Sequence, residues 1–276
     1  MRRLRLLFLA PAGIISLALL IAPLAIIGGY SVLTRGAYGG VERPWTWESY
    51  RLLLNPLYGE ILFRSFWIAI VSTGLCLLLG FPLALFIAQS GPRKSLYLNL
   101  VMLPFWTSFL VRTYAWMFLL RDTGLINTAL QSLGLIRQPL PLLYNDGAVI
   151  LGLVYGYLPF TILPIYAALE RLEPCLLEAA ADLGAGPWST VARIAIPLSA
   201  PGIWAGAVLV FIPTLGTYLT SDLLGGGKTV LIGNLVQNQF TTARDWPFGS
   251  AASIALMAIV LLLLMALRSR GTQDLL

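Results

Sequence analysis

The sequence predicts an all-α, polytopic membrane protein with six transmembrane helices. Of its 276 residues, 58% are hydrophobic and only 11% are charged, and the mean hydropathy is +0.82. These values lie outside the usual range of soluble globular domains. The second observation is the length of the apolar runs, because a helix needs ~20 apolar residues to cross the hydrocarbon core. Six such runs occur, at about Leu6 to Tyr30, Ile61 to Gln89, Leu98 to Leu120, Ala148 to Leu169, Gly202 to Leu223 and Gly249 to Leu267.

The first run follows Arg2, Arg3 and Arg5, as the apolar core of a signal peptide would. It is longer than the ~7 to 15 residues of such a core, and it lacks a convincing small-residue cleavage site. We therefore predict an uncleaved helix whose basic end is cytoplasmic, because charges beside the first helix usually set orientation. The other basic residues divide almost equally between the two sides. Six spans then place both termini in the cytoplasm and form a single transmembrane domain over residues 1–276.

A polar loop, at about residues 170–200, separates the fourth and fifth runs. Leu176 to Leu183 is rich in helix formers and carries acidic residues on one face, which predicts a short amphipathic helix. Gly184 can end this helix with a left-handed backbone angle, and Pro187 suits the first turn of a second helix. For an isolated Glu-Ala-Ala triplet the alternative is an ordinary solvated loop, since both residues are common helix formers.

The spacing in this loop closely resembles a signature of the membrane-spanning subunits of ATP-binding-cassette importers. The match starts at Glu178 and ends at Pro197, with Ile196 replacing the usual Leu. Further blocks between about residues 95 and 255 resemble spermidine/putrescine permeases of the first of two types. The resemblance implies the type I importer permease fold and a coupling element that an ATPase moves. Its residues would be Glu178, Ala179, Ala180, Gly184, Ile194 and Pro197.

The resemblance also implies partners, location and substrate class. A second, similar permease would complete a heterodimer in the lipid of a bacterial inner membrane, and an extracytoplasmic binding protein would deliver spermidine or putrescine. Two cytoplasmic ATPase subunits would bind ATP and Mg, so that this chain would hold no cofactor. Thr217 replaces an acid of putrescine-type relatives, whereas Ser221 and Asp222 resemble the spermidine type. The choice of polyamine, or of another small solute, therefore stays open.

Proline residues in the spans indicate where a pathway for such a cation would run. Pro104, Pro159, Pro164 and Pro213 remove helical hydrogen bonds, and the freed carbonyl groups are tolerated only beside protein or water. Ring faces attract ammonium groups and a carboxylate pairs with them, although aromatic residues also serve as anchors at membrane interfaces. The candidate pathway residues are Trp106, Tyr114, Trp116, Tyr155, Tyr157, Phe211, Tyr218 and Asp222.

Arg112 is the one charge that falls well inside a predicted span. A charge at that depth is costly and is usually paired. A cationic solute would be repelled by it, so we predict a structural ion pair rather than contact with the substrate. The candidate partners are Asp146, Asp222 and Asp245.

Several other functions are disfavoured by the residues present. The chain has no His, and its two Cys residues lie in a span and in a cytoplasmic loop, which predicts free thiols and no metal site. The segment Gly225 to Thr229 imitates the end of a phosphate-binding loop, but Asp222 occupies the position of the required first Gly. ATP hydrolysis is therefore expected in a partner subunit, and we predict no enzyme activity here. The net charge of +6 indicates lipid contact and topology, because a basic platform for nucleic acid is missing.

Two competing classes of membrane protein are a secondary transporter coupled to protons or sodium and a scaffold that transports nothing. A secondary transporter needs ionisable groups or broken-helix ion sites within its spans, often in inverted repeats. In this chain the acidic residues cluster in loops and at span ends, and no internal repeat is evident. A scaffold would not need a polar loop with this spacing, so co-purification of an ATPase separates both classes from an importer.

Overall fold

Helices dominate residues 2–271, the part of the chain that the computed structural model describes, so the all-α class is confirmed. The first half contains α1 (Arg2–Tyr30), β1 (Leu33–Arg35), β2 (Val41–Trp45), α2 (Glu48–Leu53), α3 (Pro56–Gln89), α4 (Lys94–Met102), α5 (Phe109–Leu120) and α6 (Leu125–Ser132). The second half contains α7 (Asp146–Leu169), α8 (Pro174–Asp182), α9 (Pro187–Thr190), α10 (Ile196–Leu198), α11 (Ala200–Gly216), α12 (Leu219–Gly225), α13 (Ile232–Thr241) and α14 (Trp246–Gly271). Single 3-10 turns cover Gly91–Arg93 and Leu103–Trp106, and a π-helical turn covers Val191–Ala195.

Among the described residues, four helices are long and apolar enough to cross a membrane: Gly13–Tyr30, Pro56–Gln89, Asp146–Leu169 and Trp246–Met265. A fifth span results if the pair Pro187–Leu198 and Ala200–Gly216, which meet at 71°, is counted as one. The third predicted run, residues 98–120, is instead divided into α4, a 3-10 turn and α5. Pro104 lies in that turn and has no N–H group to donate, so a continuous helix is unfavourable there.

The prolines of the fourth run do not interrupt it. Pro159 and Pro164 both lie inside α7, which continues through them as the single span predicted for this run. Each proline forgoes one hydrogen bond while the neighbouring turns keep the helical geometry. Pro213 lies in the last turn of α11, and the break follows it at Thr217, whose backbone is extended.

The chain forms two compact units, of which the larger comprises Ile61–Asn234. Its α7 and α11 approach closely because glycines face α7: a Cβ atom at Gly202 would lie 2.5 Å from the carbonyl oxygen of Pro164, and one at Gly206 would lie 3.2 Å from the Cα atom of Thr161. Small residues permit such close helix packing in membranes. A hydrophobic cluster of this unit contains Ala84, Ile87, Ile162, Ile165, Tyr166, Leu169 and Ala195.

The other unit comprises Met1–Glu60 and Leu235–Leu276. Its two strands pair antiparallel, with Thr34 opposite Glu42. The Nη2 group of Arg35 donates a hydrogen bond to the carbonyl oxygen of Ala243 (2.8 Å), and this guanidinium also lies 3.8 Å from the carboxylate of Asp245. These bonds fix the hairpin to the segment that precedes α14.

Candidate coupling element and cation site

The first half of the candidate coupling loop, residues 170–200, is a helix with a glycine-dependent end, as predicted. In α8 the Leu183 N–H donates to the carbonyl oxygen of Ala179 (3.1 Å), and the Ala185 N–H donates to that of Ala180 (2.9 Å). Between them Gly184 has φ +79°, the left-handed conformation of a Schellman C-cap. The local geometry therefore strongly favours glycine at position 184, since most side chains would be strained at this angle.

The second half of the loop is a helix that begins at Pro187 and bends sharply where it meets α11. It continues through the π-helical turn and α10, and the 71° bend follows at Ser199. Ser199 is fully buried, and its hydroxyl donates to the carbonyl oxygen of Ala195 (2.5 Å). Ala195 packs in the hydrophobic cluster of α3 and α7, so the loop is anchored to the spanning helices.

The coupling residues differ in exposure. Ala180 is buried, Ile194 is half-buried, and Glu178, Ala179, Gly184 and Pro197 are exposed. The loop also displays two large apolar side chains that sequence reasoning missed as surface residues, because Leu183 is 89% exposed and Trp188 is 85% exposed. Exposed apolar groups of this size beside a polar helix are typical of a protein interface. The signal available in the sequence was the position of both residues outside the predicted spans.

A carboxylate lies at the break between α11 and α12. Asp222 is exposed, and its Oδ1 atom accepts a hydrogen bond from the Nδ2 group of Asn234 (2.5 Å). Asn234 is buried, and it also donates to the carbonyl oxygen of Tyr218 (3.0 Å) and accepts from the Leu231 N–H (3.1 Å). Asn234 thus holds Asp222 in place. Sequence reasoning missed this positioning role, because an asparagine twelve residues away gives no periodic signal.

Asp222 belongs to no ion pair among the side chains that the structure describes (residues 13–265 without 174, 177 and 181), whereas Asp146, Glu170 and Asp245 are each paired with a basic residue. One helical turn earlier, Tyr218 is 41% exposed, and its carbonyl oxygen accepts the Asp222 N–H (2.9 Å). An exposed carboxylate can attract an ammonium group through its charge.

The other candidate pathway residues do not form one group. Trp116 and Tyr155 meet edge to face, with ring centroids 5.5 Å apart. Tyr157 packs on Phe160 and Phe211 packs on Phe66, which gives these half-buried rings partners of their own. Trp106 and Tyr114 are exposed. The predicted set is thus spread over α5, α7, α11 and the turns next to them, and Tyr218 is joined to Asp222 by a backbone hydrogen bond.

The ion pair predicted for Arg112 does not form with any of the three candidate acids. Asp146 is paired with Arg64 (2.5 Å), Asp245 lies by Arg35, and Asp222 accepts from Asn234. The guanidinium of Arg112 lies instead over two aromatic rings, with Cζ 5.0 Å from the Phe105 centroid and 5.8 Å from that of Phe109. Sequence spacing does not show which acid a neighbouring helix brings close, and Arg64 is the nearer cation to Asp146.

Comparison with known proteins identifies the family. Residues 80–270 match the model of the binding-protein-dependent transport system inner membrane component. The chain belongs to this family. It is 44% identical over 244 residues to the spermidine/putrescine transport system permease protein PotB of Escherichia coli (strain K12), covering 88% of this chain and 89% of that protein. It is 36% identical to the inner membrane ABC transporter permease protein YdcU of the same organism, covering 83% and 77% of the two chains.

Solved structures show the same fold. A bacterial ABC transporter that imports the acidic polysaccharide alginate matches 97% of this chain and 95% of its own, with a TM-score of 0.70 and 23% identity. The same kind of transporter in complex with an alginate pentasaccharide-bound periplasmic protein matches with a TM-score of 0.69. The family match and the PotB relative show that the chain is a multi-pass inner membrane permease subunit of an ABC importer, a transport component and not an enzyme, as the sequence predicted.

Proposed function

We propose that this permease forms half of the membrane pathway of a polyamine importer. The complex would contain a second, similar permease, two cytoplasmic ATPase subunits and an extracytoplasmic binding protein. The name of the PotB relative, 44% identical over most of both chains, supports spermidine or putrescine as substrate. The termini and the loop at residues 170–200 would face the cytoplasm, because ATP and the ATPase subunits are on that side.

The observation that carries the substrate class is the unpaired carboxylate of Asp222. It is exposed at a break between two helices, and the buried Asn234 holds it. Two opposite charges 4 Å apart attract by about 1 kcal/mol in water and by about 4 kcal/mol at the effective dielectric constant near a protein surface. Tyr218 lies one helical turn earlier, and an exposed aromatic ring that faced the same ammonium group would add about 0.5 to 1 kcal/mol. Interactions of this strength would bind the ammonium groups of a polyamine and still allow them to be released.

The test is uptake of labelled spermidine by the complex in proteoliposomes with the Asp222→Asn substitution. Asparagine keeps an oxygen that accepts from Asn234 but removes the charge, so we expect KM or the apparent Kd to rise about fivefold or more. Asp122→Asn is the matched control, because Asp122 is also an exposed acid of the same unit and should tolerate the change. Equal uptake by wild type and Asp222→Asn would contradict the role of this carboxylate.

A panel of solutes tests the substrate class itself. A relative with 27% identity is named as a molybdenum transport system permease, so molybdate belongs in the panel with spermidine and putrescine. We expect polyamines to stimulate ATP hydrolysis and molybdate to have no effect. Stimulation by molybdate without a response to either polyamine would replace this assignment with another small solute.

A further inference from the structure

The short α12 helix is interrupted at both ends, so its own backbone does not fix the position of Asp222. It has seven residues, Leu219–Gly225. Before it, Thr217 is extended and separates it from α11, and after it Gly226 takes the left-handed conformation with φ +55°. A helix of two turns between such breaks is held by its side-chain contacts rather than by continuity with a longer helix. The setting of Asp222 therefore depends on the surface against which α12 packs.

A glycine of α7 forms the first part of that surface. A Cβ atom at Gly152 would lie 2.4 Å from the Cδ1 atom of Leu224 and 2.9 Å from the Cγ2 atom of Thr220. Both side chains belong to α12, and both are fully buried. Carbon atoms in contact normally lie about 3.5 to 4.0 Å apart, so α12 can approach α7 this closely only where a side chain is missing.

The segment that follows α12 forms the second part. Thr229 is buried, and its carbonyl oxygen accepts a hydrogen bond from the hydroxyl of Ser221. The hydroxyl of Thr229 in turn donates to the Oδ1 atom of Asp146 (2.6 Å) at the start of α7, and Asp146 is paired with Arg64 of α3. Thr229 thus joins α12 to both α3 and α7. We call Gly152 and Thr229 the α12 seat.

Asp222 lies on the side of α12 that faces away from Gly152. Successive residues are about 100° apart around a helix, so Asp222 is about 200° from both Thr220 and Leu224. Its side chain is exposed and is held by Asn234 of α13. A change in the α12 seat would therefore shift this short helix as a unit and displace the carboxylate.

We propose that Gly152 and Thr229 are positioning residues for the polyamine site, because they set the distance between the Asp222 carboxylate and a bound ammonium group. The inference rests on the role of Asp222 in the proposed function. At an effective dielectric constant of about 20, moving an opposite charge from about 4 Å to about 5 Å weakens its binding by about fourfold. A methyl group at position 152 would require a movement of roughly that size, because its nearest neighbour would lie only 2.4 Å away.

The first experiment measures spermidine uptake by the whole complex in proteoliposomes. We expect Gly152→Ala to raise KM by about fourfold while kcat changes less, and to add nothing in an Asp222→Asn background. Gly74→Ala is the matched control: Gly74 lies in the spanning helix α3, with no described atom within 4 Å of its Cβ position, and should behave like wild type. A compensated variant combines Gly152→Ala with Thr220→Ser and Leu224→Val, which remove the two atoms nearest to the new methyl group, and should restore KM.

The outcomes separate this inference from the proposed function. An unchanged KM in Gly152→Ala, an equal rise in the Asp222→Asn background, or no recovery in the compensated variant would each overturn the positioning role of Gly152. If Asp222→Asn impairs uptake but Gly152→Ala does not, the inference alone fails. If Asp222→Asn also leaves uptake unchanged, the proposed role of the Asp222 carboxylate fails as well.

The second experiment does not depend on a variant that crowds the helix interface. Thr229→Val nearly keeps the shape of the side chain but removes the hydroxyl that binds Asp146, whereas Thr229→Ser keeps the hydroxyl. Amide hydrogen exchange of residues 219–225, measured in the complex without substrate, should be about two- to tenfold faster in Thr229→Val and unchanged in Thr229→Ser. Equal exchange in the two variants would overturn the role of Thr229. This measurement needs no polyamine, so it tests the α12 seat whether or not spermidine is the substrate.

Discussion

Replacing Gly184 with valine should reduce ATP hydrolysis and uptake together without preventing insertion into the membrane. Gly184 has φ +79°, where an L side chain meets its own backbone, and this costs about 1 to 2 kcal/mol. No other atom lies within 4 Å of the position that a Cβ would take, so a clash adds nothing. A strain of that size shifts a local equilibrium by roughly 5 to 30-fold. The expected result is loss of the C-cap and displacement of the α8 helix, with normal amounts of protein in the membrane.

The assay is ATP hydrolysis and uptake in proteoliposomes, with and without loaded binding protein. We expect Gly184→Val to lower both together by about 5 to 30-fold. Gly184→Asn should retain much of the activity, because asparagine tolerates the left-handed conformation. The matched control is Gly186→Val: Gly186 also has open space around it, but its φ is −69°, which valine adopts freely. Full coupling by Gly184→Val, or equal damage by Gly186→Val, would refute the reasoning.

Three further predictions concern the polar loop at residues 170–200 and the residues beside it. Cys175 is exposed and Cys76 is buried. An impermeant maleimide should therefore label position 175 from the cytoplasmic face alone and leave position 76 unlabelled. Labelling of Cys175 only from outside would contradict the predicted topology. Glu178→Ala removes one exposed carboxylate, and coupled ATP hydrolysis should fall less than about fivefold. A complete loss would show that Glu178 contributes more to coupling than a single surface interaction. The hydrogen bond between Lys94 and Glu170 lowers the pKa of the Glu170 carboxyl and raises the pKa of the Lys94 amine. The stabilisation from this pair is fully present between the usual carboxyl pKa of 4.5 and the usual amine pKa of 10.5. It is lost as the pH falls through the lowered pKa of Glu170 or rises through the raised pKa of Lys94. The melting temperature of the complex should therefore fall less on acidification in Glu170→Gln than in wild type, with the difference reduced by salt, and an identical pH profile would contradict the pairing.

Local chemistry explains which structural predictions were confirmed. The helix that ends at Gly184 and the helix that begins at Pro187 follow from backbone angles that few residues adopt, so the sequence predicts them well. The division of the third apolar run at Pro104 also has a local cause, although the sequence predicted one span there. In α7, by contrast, Pro159 and Pro164 do not break the helix, because packing against neighbouring helices overrides a local preference.

Pairing between distant residues could not be predicted from spacing. Asp146 lies near Arg64 and Asp222 near Asn234 because the fold joins α7 to α3 and α12 to α13, and no periodicity reports such contacts. Arg112 was therefore assigned partners that the fold directs elsewhere. The expectation that the Arg112 charge is costly is consistent with its surroundings. The side chain is buried, and its Nε and Nη1 groups have no hydrogen-bond acceptor among the described residues.

The two candidate sites lie at opposite ends of one helix, which gives the coupling proposal a physical route. The α11 helix begins beside the buried Ser199 at the bend of the coupling loop, and it ends at the break that precedes Asp222. Its 17 residues span about 25 Å at the usual helical rise. Close packing at Gly202 and Gly206 holds it against α7, so a displacement of the loop would move α11 as a rigid body rather than bend it. Such a movement would change the position of Asp222 relative to the rest of the pathway, which is what release of a bound cation requires.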